Sequence, residues 1–328
     1  MTHPTMPPTR REFLRRSALA ASAAAGAVLL PACNSTPGDP HAKRRTPGKP
    51  VQLYQISLAQ WSLHRALMRK ELDNLDFPKV TRVDYELDGA ELVNQFFKDK
   101  AGDRKYLGAL RMRATDFGVK LLLIMVDGEG ALGEANEKTR ARAIGNHRKW
   151  LEAAQALGCH SIRVNAETGG APREEAARNA ADGLRRLSEI AVPYGLNVIV
   201  ENHGGLSSDG SWLADVIRRV DMRNCGTLPD FGNFRIAEGK YYDRYLGVQE
   251  LMPYAKAVSA KSHDFDADGN EIHTDYRRMM RIVLDSGYRG WVGIEFEGDG
   301  ISEPEGILKT KRLLQTIHAE LVAAGEFA

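Results

Sequence analysis

Asn197-Val198-Ile199-Val200-Glu201-Asn202-His203-Gly204-Gly205 reads as a buried strand that ends in a carboxylate, an amide and an imidazole ahead of a glycine turn. Tyr194-Gly195-Leu196 stands just before it, so a helical stretch closes on a glycine and the strand follows at once. The same punctuation recurs as Phe117-Gly118-Val119-Lys120-Leu121 and Leu157-Gly158-Cys159-His160-Ser161. Three further apolar runs, within 225–234, 257–266 and 291–298, also end in hard donors: Asp230, His263 and Glu295.

Working outward, eight β-rich apolar runs alternate with helical stretches: 55–63, 90–97, 120–126, 161–165, 197–201, 225–229, 257–261 and 291–296. Leu, Ala and Ile recur at three- and four-residue steps over 141–157, 174–194, 212–220, 276–286 and 304–321. Gly118, Gly158, Gly195, Gly287 and Gly290 fall between a helical run and the next strand, where a left-handed cap is expected. Eight βα units over about 270 residues predict an α/β fold, a single-domain (β/α)8 TIM barrel spanning 51–324.

Such a barrel turns the side chains at the carboxyl ends of its strands toward one mouth. Glu201, Asp230, His263 and Glu295 therefore predict one divalent metal site of oxygen and imidazole donors, suited first to Mn²⁺, with Mg²⁺, Co²⁺ or Zn²⁺ as other occupants. Strand alternation puts Ser259, Lys261 and His263 on one face. His263 is expected to be the fourth ligand; the alternative is three carboxylates completed by water.

The neighbouring polar residues each carry two readings. His203 either meets a substrate hydroxyl or orients Glu201. Lys261 either holds an anionic oxygen or pairs with Glu295 or Glu297. Arg163 and Asn165 contact substrate or brace a loop, and Trp61 walls the site or fills the core. Glu297 shares the Glu295 face and is a substitute ligand, whereas Asp127 and Glu129 are expected in a solvent-facing lid. The segment 234–253 is expected to cap the mouth.

These motifs resemble the xylose-isomerase-like barrel superfamily, in particular its sugar phosphate isomerases and epimerases. The resemblance rests on Val200-Glu201-Asn202-His203-Gly204-Gly205, Leu228-Pro229-Asp230-Phe231-Gly232-Asn233-Phe234, Ser259-Ala260-Lys261-Ser262-His263-Asp264-Phe265-Asp266 and Val292-Gly293-Ile294-Glu295-Phe296-Glu297-Gly298. Gln60-Trp61-Ser62 and Glu91-Leu92-Val93-Asn94-Gln95-Phe96-Phe97 match more loosely. It implies carboxylate ligands at Glu201, Asp230 and Glu295, with Glu201 and Glu295 also forming the acid–base pair, and substrate contacts that include Asn233. Two departures stand out. Ser259 occupies the position where many members carry the ligand His, and Asn233 stands where ketose 3-epimerases tend to carry a His.

The implied activity is metal-dependent isomerisation or epimerisation by proton abstraction next to a carbonyl. A 3-keto-glycoside lyase or deglycosidase on the same site is the alternative within enzymes, and a non-catalytic carbohydrate-binding barrel the alternative outside them. A Gly-rich phosphate cradle or strand-end Arg cluster is missing from the sequence, which favours an unphosphorylated carbohydrate.

At the amino end, Thr9-Arg10-Arg11-Glu12-Phe13-Leu14-Arg15 and the uncharged run 17–32 resemble a twin-arginine export signal over 1–32. Leu30-Pro31-Ala32-Cys33 resembles a lipobox, so the protein is expected in the periplasm, soluble or anchored by lipid at Cys33, with a disordered tether over 33–50. Cys159 and Cys225 abut apolar runs and are expected as buried free thiols. Removal of Arg10, Arg11, Arg15, Arg16 and Glu12 with the signal leaves 41 basic against 42 acidic residues, too little positive charge for a nucleic-acid partner. Self-association is left open.

Overall fold

Near-continuous apolar runs are what a parallel strand covered on both faces requires. The computed structural model describes residues 51–327; the leader, Cys33 and the tether lie outside the described residues. Ten strands follow in chain order: β1 (Gln55–Ala59), β2 (Gly89–Val93), β3 (Lys120–Met125), β4 (Ser161–Asn165), β5 (Asn197–Glu201), β6 (Cys225–Leu228), β7 (Arg235–Ala237), β8 (Lys240–Tyr241), β9 (Val258–Ser262) and β10 (Trp291–Phe296). Eight of them form one parallel sheet in the order β6-β5-β4-β3-β2-β1-β10-β9, while β7 and β8 make a small antiparallel hairpin. Parallel bridges Thr227↔Ala255 and Asp230↔Ser259 join β6 to β9 and close the ring. The (β/α)8 barrel expected from the sequence is therefore the fold.

Helices follow the strands and start where a short polar side chain caps the first turn. Asp103, Asn136, Asp209, Asp275 and Ser302 each accept a backbone N–H at the head of the helix that follows. Gly118, Gly158, Gly195 and Gly287 are left-handed, with φ of 67°, 78°, 69° and 83°. Gly290 is the exception. It carries no positive φ, and a Cβ there would stand 2.5 Å from the Tyr288 hydroxyl, so a larger residue would have to displace the Tyr288 ring.

Two expected strands stop short. Residues 60–63 and 94–100 leave the sheet as 3-10 turns, because Gln60 turns inward to donate to Asn74 and to accept from the Val93 backbone N–H at 2.9 Å. Trp61 therefore sits on a turn beyond β1 instead of at a strand end.

The apolar core lies mostly between the sheet and the helices. A smaller cluster of Ala59, Val93, Leu123, Met125, Ile199, Leu228 and Ala257 fills the inside of the ring. Above it the interior becomes polar, with Glu201, Asp230, Ser259, Lys261 and Glu295 all buried. Cys159 and Cys225 are buried free thiols, as expected.

Packing is tight where helix Arg173–Ala191 crosses the segment after β3. A Cβ on Gly183 would stand 1.9 Å from the Leu132 carbonyl oxygen, a backbone atom that cannot swing away. Gly183→Ala is therefore expected to destabilise the fold by about 3 kcal/mol, despite alanine's better helix propensity, with a Tm fall of roughly 6–10 °C by thermal denaturation. An unchanged or higher Tm would show that the helix can shift at no cost.

Candidate metal centre

Three carboxylates meet at the top of the ring. Glu201 ends β5, Asp230 follows β6 and Glu295 lies in β10, and one oxygen of each falls within 4.8 Å of the others. Each is held in place. Asp230 Oδ1 accepts from the backbone N–H of Gly232 and of Asn233, both at 2.8 Å. Asn202 braces the same turn by donating to the Asp230 carbonyl at 3.0 Å and accepting from its N–H at 2.7 Å. Asn233 Nδ2 donates to Glu201 Oε1 at 2.8 Å.

Ser259 sits between two of them, its hydroxyl 2.6 Å from Asp230 Oδ2 and 2.8 Å from Glu295 Oε2. A hydroxyl carries one proton, so it can donate to only one carboxylate at a time. Two cations border the cluster. Arg163 places Nε 2.8 Å from Glu201 Oε2 and donates to Asp127 Oδ1 at 2.7 Å. Lys261 Nζ lies 2.9 Å from Glu297, 3.1 Å from Glu295 and 3.9 Å from Asp230.

Burial dominates the electrostatics. It pushes the Glu201 and Asp230 carboxyls up to about 7, against the pull of Arg163 on the first and Lys261 on the second. Glu91, buried in β2 with Ser57 donating to it at 2.6 Å, is also pushed up to about 7 by burial. Burial works against the Lys261 ammonium as well, but Asp230, Glu295 and Glu297 outweigh it and hold its pKa well above the usual range. For Asp127 burial is the largest single influence, yet Arg163 and Asn165 together bring it down to about 2.

The residues fit a divalent cation. The donors are hard oxygens, Glu201 Oε2 is buried and meets Arg163 Nε as an ion pair without hydrogen-bond geometry, and the cost of burying this much negative charge is only partly met by Arg163 and Lys261. Glu201, Asp230 and Glu295 would hold the ion. His263 does not join them. It follows the end of β9, its ring packs edge-on against His273 at 6.0 Å, and its backbone N–H donates to Glu271 Oε1 at 3.3 Å. Strand alternation beyond Ser262 no longer applies, and the three-carboxylate arrangement is the one the structure brings together.

A cavity of about 310 Å³ opens beside the cluster, lined by Trp61, Gln95, Asp127, Arg163, Asn165, Glu167, His203, Glu295 and Glu297 among others. Arg163, Asn165, His203 and Trp61 thus share one space, with Trp61 Nε1 donating to Glu297 Oε1 and its ring stacked on His64 at 4.8 Å. Asn233 and Lys261 are not among the described lining residues; Lys261 Nζ lies 3.3 Å from Asn233 Oδ1.

Asp127 and Glu129 form no lid. Asp127 is a wall of the cavity, fixed by Arg163 and by Asn165 at 2.8 Å, while Glu129 is buried and accepts from Trp150 Nε1 at 2.8 Å. Asp127, Glu91 and Ser259 are site residues that the sequence reading gave no such role; for Glu91 the available signal was Gly293, a mid-strand glycine of the sort that marks close approach. The segment 234–253 forms the β7–β8 hairpin and helix Arg244–Leu251 and contributes none of the described lining residues.

Fold and site together define a (β/α)8 barrel with a buried carboxylate centre at the carboxyl ends of its strands. Residues 83–317 match the family model described as Xylose isomerase-like TIM barrel, and the chain belongs to that family. Among curated proteins, the inosose dehydratase of Serratia proteamaculans (strain 568) is 27% identical over 215 residues, which is 55% of this chain and 71% of that protein. A solved structure of L-ribulose 3-epimerase superposes with a TM-score of 0.63 at 16% identity, covering 82% of this chain and 98% of that one. A structure of the IOLI protein with a bound zinc atom gives 0.64 at 16%, covering 81% and 98%. At such identities the structural likeness speaks for the fold alone.

Proposed function

We propose that the chain is a metal-dependent isomerase or epimerase that removes a proton next to a carbonyl on an unphosphorylated carbohydrate. The observation that carries this is the pair of glutamates, Glu201 from β5 and Glu295 from β10, buried at the carboxyl ends of separate strands, with one oxygen of each and one of Asp230 all within 4.8 Å of one another. A bound divalent ion would polarise the substrate carbonyl and its neighbouring hydroxyl, which acidifies the C–H between them.

The chain's own groups supply the rest. Glu201 and Glu295 take and return the proton at their Oε atoms from two sides of the substrate carbon. Asn233 and Arg163 hold Glu201 in place, and Lys261 holds Glu295 and balances the negative charge that builds up on an enediolate. Trp61 offers an apolar edge, and Asn165 and His203 offer hydrogen bonds to hydroxyls.

A phosphate fits this cavity poorly. Its walls carry Asp127, Glu167, Glu295 and Glu297, and Arg163, the cation among the described lining residues, is already paired with Glu201 and Asp127. Export by the leader 1–32 would agree, since phosphorylated sugars are kept inside the cell.

Elimination is the second reading. The aligned relative is named a dehydratase, and the same proton abstraction, followed by loss of a β-substituent in place of reprotonation, gives a lyase. The test is deuterium incorporation from D₂O into free ketoses, 3-keto-sugars and 3-keto-glycosides by the Mn²⁺-loaded protein, followed by NMR. Deuterium at the carbon next to the carbonyl of an otherwise intact, isomerised product is expected; loss of water or aglycone would move the assignment to a lyase. No reaction with any of them, despite bound metal, would refute enzymatic proton abstraction.

A further inference from the structure

A second hollow of about 480 Å³ lies on the same carboxyl-end face, between the turn after β1 and the turn after β2. Leu67, Met68, Leu72, Leu75, Phe96 and the ring of Tyr106 form its apolar part, and Lys70, Asp73, Asn74 and Gln95 form a polar rim. Gln95 lines both this hollow and the cavity at the carboxylates, and Phe96 reaches from the hollow to Trp61, with ring centroids 6.1 Å apart. The two spaces are therefore neighbours across one short wall.

The hollow has a fixed frame. Tyr106 accepts from Asn74 Nδ2 at 2.7 Å, Asn74 Oδ1 accepts from Gln60 Nε2 at 2.5 Å, and Gln60 Oε1 accepts from the Val93 N–H at 2.9 Å. Gln60 and Asn74 are buried, so this chain of hydrogen bonds ties the loop after β1 to the end of β2 and keeps the hollow open. Met68 is 56% exposed inside this otherwise preformed wall. An unbranched thioether at such a place suits an apolar group of adaptable shape.

Resting on the carbohydrate reading of the carboxylate cavity, we propose that this hollow is a second subsite, which takes an apolar, preferably aromatic, substituent attached to the sugar. The natural substrate class is then a glycoside or aryl-substituted sugar rather than a free monosaccharide. The polar cavity holds the sugar beside Glu201 and Glu295, and Met68, Leu72 and Phe96 hold the substituent. Burying one ring there should tighten binding about tenfold or more.

The experiment compares phenyl with methyl glycosides of a panel of pyranosides by titration calorimetry, on the wild-type protein and on Met68→Ala/Leu72→Ala. The fluorine signal of 4-fluorophenol is followed on both as a probe independent of the sugar. Expected are a phenyl-to-methyl affinity ratio of about ten or more, its collapse toward one in the double variant, and an unchanged affinity for the methyl glycoside. A ratio near one in the wild type, or a ratio the variant leaves untouched, overturns the subsite. If no glycoside binds but 4-fluorophenol broadens on the wild type and not on the variant, the subsite stands and the carbohydrate reading fails; if neither responds, the subsite is overturned. A change of mass by light scattering in the double variant, without a change in ratio, would reassign the surface to contact between copies and likewise overturn it.

Discussion

Glu201→Gln is expected to slow substrate interconversion by about 10³-fold while leaving the barrel folded. The amide keeps the shape of the carboxyl, and Arg163 retains Asp127 at 2.7 Å, so no bare cation is left in the core. Burial already disfavours the Glu201 carboxylate, so a neutral replacement costs little stability. What is lost is one proton acceptor and one metal ligand. Glu295 remains on the other side of the mouth, so residual deuterium uptake should be confined to one of the two interconverting sugars, and Glu295→Gln should confine it to the other. Calorimetry with Mn²⁺ should show weaker binding in both variants. Interconversion within tenfold of wild type in Glu201→Gln would remove this residue from the chemistry.

Glu201, Asp230 and Glu295 were legible because each terminates a run of buried β residues, and a carboxylate there has little but the barrel mouth to reach. That inference needs only strand period and chain order. His263 shows where it stops. Its residue type suited a ligand and its position continued the odd-numbered face of β9, but pairing ends at Ser262, and past that point the backbone no longer alternates.

The residues that escaped the sequence reading depend on partners from distant strands. Asp127 precedes Gly128 and looked like part of an exposed turn; its place in the wall is fixed by Arg163 and Asn165 of β4 and by Asn94, whose Oδ1 accepts from the Asp127 N–H at 3.1 Å. Glu91 lies inside a loosely matching stretch, and its role as a buried acid needs Ser57 beside it and Gly293 opposite, where a Cβ would fall 2.5 Å from Glu91 Oε1. Ser259 reads as a bland strand residue until the bridge Asp230↔Ser259 brings it between two carboxylates. Residues 55–63 read as one β-rich apolar run, which carries Trp61 to the end of β1. The inward turn of Gln60 toward Asn74 and Val93, a contact across 33 residues of sequence in the second case, ends the strand early.

The metal-free protein is expected to lose stability between pH 5.5 and 8, on the order of 3 kcal/mol, and divalent metal is expected to restore it at the upper end only. The sign follows from Glu91, Glu201 and Asp230, whose folded-state pKa values of about 7 lie above their ordinary values of 4.5, 4.5 and 3.8. Between roughly pH 4 and 7 the folded chain therefore binds more protons than the unfolded chain, and stability declines as pH rises through that range. Their contribution is complete below the unfolded values and gone once pH passes the folded ones. Asp127, held down to about 2, acts in the opposite sense, but only below about pH 4, outside this window. At pH 8 the carboxylates are charged and crowded, so Mn²⁺ at 100 times its Kd should add about 2.7 kcal/mol. At pH 5.5 the ion must displace protons first, and the same concentration should add far less. Urea denaturation of metal-free and Mn²⁺-loaded protein at both pH values measures all four stabilities. A metal-free stability that is flat or rises toward pH 8, or a Mn²⁺ increment equal at the two pH values, would show that these carboxylates do not share a buried, charge-strained centre.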